Sequence, residues 1–429
     1  MVKVLVIGGG WSGCGAALAA AKAGAEVTLL ERTDQLLGTG LVGGIMRNNG
    51  RYTAAEEAIA LGGGELFQAT DGLARHCNID FPGHKHASLY DVAKIEPFVR
   101  TLLGEKGIDI QFESRATGVC MEGDSLRGVQ TNTGKQYEAD VFVETTGTAG
   151  SQGNCAKYGN GCVMCVLRCP SYGPRVSIAA QAGVKEMMGG SSVGTLGAMS
   201  GSCKLLKESL AREIREELNE TGVVVVPLPP HLRKKDLERK ACQQYALGEY
   251  AENIILLDTG HAKMMAAFFP LDVLRTIPGF ERARYEDPYA GGKGNSIRYM
   301  AISPRDDHLK VKGIKNLFCG GEKAGPFVGH TEAIATGTLA GHNAVRLACG
   351  KELLKLPRSL ATGEAIAFVG EQVQTSAGLR KKYTFSGSVF FDRMQKLGLY
   401  TTDREEIAAR VAAAGLTGVY EREIAAKGK

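Results

Sequence analysis

The chain has 429 residues, 44% hydrophobic and 23% charged, with a formal net charge of +5. This is the balance of a globular protein of two or three structural units, and no run approaches the ~18 apolar residues that a membrane span needs. The small positive excess permits an anionic partner without demanding one, and a first strand that begins at residue 2 leaves no space for an export signal, which points to the cytoplasm.

The apolar run 4–7 reads as a buried parallel strand, followed by a glycine turn, an Ala-rich helix over 14–23 ended by Gly24, and a second strand ending at Glu31. Gly8, Gly10 and Gly13 hold the spacing G-x-G-x-x-G, with Trp11 and Ser12 inside it. The first glycine permits the turn, the second lets a pyrophosphate approach the backbone, and the third lets helix and strand pack closely. Glu31, with Arg32 beside it, stands where a carboxylate accepts ribose hydroxyls. A glycine-dense loop over 33–44, including Gly38, suits backbone approach to a flat ring, though a surface loop reads the same way.

A helix is expected over 53–60, broken by Gly62-Gly63-Gly64. His84 and His86 fall in a Pro/Gly loop and read as surface histidines. Residues 91–105 carry helical periodicity, then strands are expected at 108–112 and 118–121, with a hairpin closing near Thr133-Gly134. The strand 141–145 ends at Thr146-Gly147, a second dinucleotide-fold signature.

Four cysteines follow, Cys155, Cys162, Cys165 and Cys169, in the spacing C-x6-C-x2-C-x3-C-P. Four soft ligands in so short a stretch suit a [4Fe–4S] cluster of ferredoxin type. Tetrathiolate zinc and redox thiols without metal remain as alternatives.

Residues 189–194 read as a flexible connection. An amphipathic helix is expected from Leu206, Leu210, Ile214 and Leu218, ending near Gly222, then a strand at 223–226. The run Arg233-Lys234-Lys235-Asp236-Leu237-Glu238-Arg239-Lys240 reads first as a solvated helix face and second as an RNA contact. A strand at 254–257 precedes His261 and Lys263, weak candidates to face a cofactor. A closing strand runs through Phe318-Cys319-Gly320-Gly321-Glu322. Gly329, Thr331 and Ala333 then open a long small-residue helix, whose N-terminal donors suit a flavin pyrimidine edge. The tail is helical, with Thr402-Asp403-Arg404-Glu405 as a capping box.

The expected fold is thus α/β, a Rossmann-like FAD-binding domain of the two-dinucleotide-fold type over 1–150 and 310–370. It carries an inserted substrate or cap region over 151–309 and a helical region over 371–429. No second glycine fingerprint follows a strand, so electrons are expected from a partner protein, the proposed cluster or a substrate at the flavin.

The glycine loop, the Val143-Glu144-Thr145-Thr146-Gly147 stretch, Leu274-Arg275-Thr276-Ile277-Pro278-Gly279-Phe280-Glu281, the 316–322 and 329–333 segments and the tail from Leu356-Pro357 together resemble the GidA/TrmFO family of FAD-dependent, tRNA-modifying flavoproteins. The resemblance implies FAD held by these segments. The folate-dependent methyltransferases of that family carry a Cys-Ser-Asn-Ser segment after the second strand and a Glu-Gly-Cys motif; here residues 43–50 contain no cysteine and the second motif is absent. The expectation is therefore an FAD oxidoreductase that couples flavin to a [4Fe–4S] cluster, with a small-molecule substrate or redox partner protein ahead of tRNA. The alternative is an FAD-dependent tRNA-modifying enzyme. The tail leaves room for a homo-oligomer contact.

Overall fold

A computed structural model describes residues 1–147, 172–190, 198–199, 202–235, 237, 243–266, 269–286, 297–298 and 300–425. The central sheet has five parallel strands in the spatial order Leu317–Cys319, Val141–Glu144, Lys3–Ile7, Glu26–Leu30 and Asp109–Gln111. Its middle strand pairs Val4 with Val27 on one side and with Val141 on the other. Residues 4–7, 141–144 and 317–319 are buried throughout, which is why these three strands read as near-continuous apolar runs rather than alternating ones.

Helix Trp11–Lys22 is buried along most of its length. Its glycines and alanines let it meet the helix His330–Ala348 backbone to backbone. A Cβ on Gly337 would lie 2.0 Å from the carbonyl oxygen of Ser12, and one on Gly341 would lie 2.1 Å from that of Ala16. The first turn of the helix Trp11–Lys22 therefore lies against the helix His330–Ala348 about two turns past the latter's start. A three-stranded meander, Ala116–Glu122, Ser125–Thr131 and Gln136–Glu138, leads into the strand Val141–Glu144.

The segment holding His84 departs from expectation. It is a hairpin, Ala74–Phe81 with His84–Tyr90, preceded by a helix Glu65–Gly72. Residues 206–211 also leave the expected helix, which spans Arg212–Thr221 and ends at Gly222 with φ +80°. The strands Cys203–Leu205, Ala262–Met264, Asn253–Asp258 and Val223–Pro227 form an antiparallel sheet in that spatial order. This sheet has an apolar core of its own around Leu256, Met264, Leu274 and Phe280. In the tail, the helix Arg404–Ala413 is capped by Asp403, whose Oδ1 accepts the Glu405 and Glu406 amides at 2.9 and 3.2 Å. Thr402 does not take that role. Among the described residues no helix is long and apolar enough to cross a membrane.

Candidate functional site

Two cavities meet over the glycine loop and share Gly10, Thr39, Thr145 and Gly147. The first, with about 1150 Å3 of space open on one side, is lined by Trp11, Ser12, Gly321, Glu322, Gly329, His330 and Ala333 from the sheet side. From the antiparallel sheet and its neighbours come Ser202, Gln244, Tyr245, Lys263 and Met265. The second, about 660 Å3, is lined by Gly8, Glu31, Arg32, Gly38, Thr146, Arg115 and Arg175.

Each loop glycine has its own steric reason. Gly8 takes φ +105°, and a Cβ on Gly13 would stand 1.8 Å from the carbonyl oxygen of Gly8. A Cβ on Gly10 meets nothing within 4 Å, because that face of the backbone looks into the cavities. Glu31 is buried; its Oε2 accepts the Gly9 amide at 2.8 Å, and its Oε1 accepts the Thr33 amide and hydroxyl at 2.8 and 2.9 Å. These bonds aim the carboxylate into the second cavity. Arg32 donates to the carbonyl of Gly173 at the same rim. Thr146 turns its hydroxyl inward to Glu144 at 2.8 Å, and Glu144 in turn accepts the amides of Ile178 and Ala179 at 2.9 and 2.8 Å.

Of the residues expected from sequence, Gly13 and Thr331 do not line a cavity. Gly13 is the packing glycine, and Thr331 is fully buried with its hydroxyl on the Met46 sulfur at 3.7 Å. Cys155, Cys162, Cys165 and Cys169 lie outside the described residues; among the described residues no three His, Cys, Asp or Glu side chains gather as metal ligands. Cys319 is a buried thiol whose pKa burial pushes up to about 12.

Sequence reading missed Arg51. Its guanidinium lies against Gly329, pairs with Glu332 at 3.2 Å and donates to the Val328 carbonyl at 2.9 Å and the Thr384 hydroxyl at 3.0 Å. Lys263 reaches the cavity as expected and donates to the carbonyl of Val42 at 2.5 Å, while Lys204 donates to that of Leu41 at 3.0 Å. Together they hold the glycine-rich loop from the opposite side. His261 pairs instead with Glu286 at 3.3 Å.

His84 is not a surface residue. Its ring is 2% exposed, stacked on Phe81 at 4.7 Å and 4.8 Å from Tyr245; Nδ1 faces the Asn48 amide at 3.0 Å and Nε2 the Gln244 carbonyl at 3.1 Å. Burial first, and the Arg51 charge second, push its pKa down from 6.5 to about 3. The folded protein therefore resists protonating His84. The associated stability is complete above about pH 6.5 and is lost towards pH 3, at about 1.4 kcal/mol per unit. His342 is buried and shifted the same way. We expect His84→Gln to remove one of the two contributions and flatten the acid limb of a urea-denaturation series between pH 6.5 and 4.

The cavities fit a dinucleotide. The Ser12 hydroxyl, beside Gly320 and Gly321 at the start of its helix, is buried with no hydrogen-bond partner among the described residues. An orphaned hydroxyl at a helix N-terminus matches a phosphate oxygen. Arg32, Arg115 and Arg175 surround the other cavity. Ser12→Ala is expected to weaken FAD binding roughly three- to tenfold with the melting temperature of the FAD-free protein unchanged, as read by flavin titration.

The family model described as glucose inhibited division protein A, GIDA, matches residues 3–246 and 260–352. The chain belongs to the GidA family. It is accordingly an FAD-dependent flavoprotein enzyme of oxidoreductase type. GidA from Aquifex aeolicus in its form II crystal shares the fold, with a TM-score of 0.69 and 18% identity over 96% of this chain and 72% of that one. The form I crystal gives a TM-score of 0.61 and 16% identity over 96% and 78%. Of the segments quoted for the resemblance, the glycine loop, the 145–147 stretch and the 320–322 and 329–333 segments line the first cavity, and Lys263 and Gln244 line it from the other side.

Proposed function

We propose that this GidA-family chain carries out FAD-dependent modification of a uridine in tRNA, in the cytoplasm. The observation that carries this reading is the family match, which spans both the sheet that builds the glycine loop and much of the region that walls the first cavity. FAD, when bound, supplies two-electron redox chemistry. The chain's own residues do the rest. The glycine loop and Ser12 bind phosphate, Glu31 takes ribose hydroxyls, the helix N-terminus at Gly329 and His330 faces the ring end, and Lys204 and Lys263 close the loop over it. The first cavity stays wide beyond the loop, with Tyr245 and Gln244 on its far wall, which leaves room for a flat base.

The basic run contributes less to RNA binding than its composition suggests. Arg233 pairs with Glu252 at 3.4 Å, and Lys234 turns over the Phe269 ring at 5.0 Å, where burial lowers its pKa. Residues 233–235 are not helical and follow a short turn that ends at Leu232, with Arg233 and Lys235 exposed as a solvated face requires.

The rival reading, electron transfer through a [4Fe–4S] cluster, rests on the spacing of the four cysteines alone. Two measurements separate the readings. Nucleoside analysis of tRNA from cells lacking the gene is expected to lose one uridine derivative that the wild-type gene restores; an unchanged profile overturns the tRNA reading. Iron and sulfide in anaerobically purified protein, lost in Cys162→Ser, would support the cluster.

A further inference from the structure

We propose that Gln244 reads the imide edge of the substrate pyrimidine, its carboxamide accepting from the ring N3–H and donating to the neighbouring carbonyl. The proposal rests on the tRNA-uridine reading above and names the residue that would discriminate the base.

Gln244 is 4% exposed and lines the first cavity, and its buried Oε1 has no hydrogen-bond partner among the described residues. The main chain and Cβ of the residue are held in place. Its carbonyl accepts from His84 at 3.1 Å, and His84 faces the Asn48 amide at 3.0 Å. Its Cβ stands 2.5 Å from where a side chain on Gly387 would begin, so that glycine leaves space for it. The next residue, Tyr245, packs on His84 at 4.8 Å and on Tyr250 at 5.5 Å. A backbone so firmly held, carrying a polar end that no described residue satisfies, is the pattern of a group whose partner is a ligand.

The chemistry narrows the ligand. A carboxamide presents one acceptor beside one donor in a plane, which complements a ring N–H flanked by a carbonyl. Uracil has that edge. Cytosine, which has an acceptor at N3 and an amino group beside it, would need the amide turned by half a revolution. The flavin ring carries the same imide, so the cofactor is the second source of this chemistry. The sheet-side wall already offers the helix N-terminus at Gly329 and His330 for the flavin edge, whereas Gln244 stands on the wall contributed with Tyr245, Lys263 and Met265. Tyr245 adjoins the amide in sequence and lines the same cavity, where an aromatic face can stack on a base.

The test uses the full-length protein loaded with FAD. Three single-stranded RNA heptamers carrying uridine, 3-methyluridine or cytidine at the centre are titrated against the visible flavin spectrum, for the wild type, Gln244→Leu and Gln244→Glu. The wild type is expected to bind the uridine heptamer at least tenfold tighter than the 3-methyluridine one. Gln244→Leu should reduce that ratio below twofold with FAD content and affinity unchanged. Gln244→Glu, which keeps the acceptor, should retain the ratio, and it also guards against a folding defect in the leucine variant. Heptamer binding with an unaltered ratio in Gln244→Leu overturns the Gln244 assignment and leaves the tRNA reading standing. Loss of FAD affinity in both variants assigns the amide to the flavin and overturns the proposal. Failure of the wild type to bind any heptamer removes the proposal together with the reading on which it rests.

Discussion

Gly10→Ala is expected to lose FAD and keep its fold, whereas Gly13→Ala, three residues away, is expected to lose both. Gly10 has φ −69° and ψ −179°, which alanine adopts without strain, and its added methyl meets no protein atom within 4 Å. Stability should therefore change by no more than about 0.5 kcal/mol. The methyl does occupy the face that both cavities share, where a pyrophosphate must approach the backbone, so FAD affinity should fall roughly 10- to 100-fold. At Gly13 the added carbon would stand 1.8 Å from the Gly8 carbonyl oxygen and 2.9 Å from the Thr145 hydroxyl. Helix and strand must separate to admit it, at about 3 kcal/mol or more. Flavin titration and thermal melts of FAD-free protein read the two quantities separately. Equal loss of stability in both variants would contradict the assignment of distinct roles to the two glycines.

That contrast explains what sequence could and could not reveal. The glycine loop was legible because its spacing is local: Gly8 takes φ +105°, Gly13 packs on the Gly8 carbonyl five residues back, and Gly10 between them leaves its face open, so six residues carry the geometry. The return strand Leu317–Cys319 and the helix His330–Ala348 were legible for a related reason, since a buried apolar run and a long small-residue helix announce themselves by composition. The hairpin containing His84 was not. Its strands have three register shifts, and Ala74–Phe81 alternates poorly between buried and exposed positions, so the period-two signal is broken.

Residues that act through distant partners were illegible for a different reason. His84 looked like a surface histidine because the groups that bury and bond it, Asn48 and Gln244, come from 36 and 160 residues away. Gln244 itself carries no motif; its signature is a buried oxygen without a partner among the described residues, which exists only once the chain has folded. Within the basic run Lys234 shows the converse. Composition suggested an exposed charged face, and the fold spent this side chain on an aromatic ring. The capping box failed by one position for a chemical reason: the Asp403 carboxylate accepts two amides, and a charged acceptor at the cap outcompetes the neighbouring Thr402 hydroxyl.

Arg51→Met is the substitution expected to cost the most stability. Arg51 and Glu332 are 281 residues apart in sequence, both almost fully buried, and joined at 3.2 Å. Glu332 also accepts the Thr384 hydroxyl at 2.7 Å and the Phe385 amide at 2.8 Å, while Arg51 holds the Val328 carbonyl at 2.9 Å. The pair thereby ties three segments together: the helix Gly50–Ala60, the N-terminus of the helix His330–Ala348, and the stretch around Thr384. Removing the cation leaves a buried carboxylate without its counter-charge, a loss of about 3–5 kcal/mol. The double variant Arg51→Met/Glu332→Gln should recover part of that loss, because the stranded charge is gone while the bonds from Thr384 and Phe385 still have an acceptor. The geometry adds a functional consequence. Gly329 sits at φ +144° with the Arg51 guanidinium packed where its Cβ would be, so Arg51 fixes the turn that opens the helix onto the first cavity. FAD affinity should therefore drop in both the single and the double variant, while stability recovers only in the double. Melting temperatures and flavin titrations of the two proteins decide the matter, and a double variant no more stable than the single one would show that the buried carboxylate is not what Arg51 compensates.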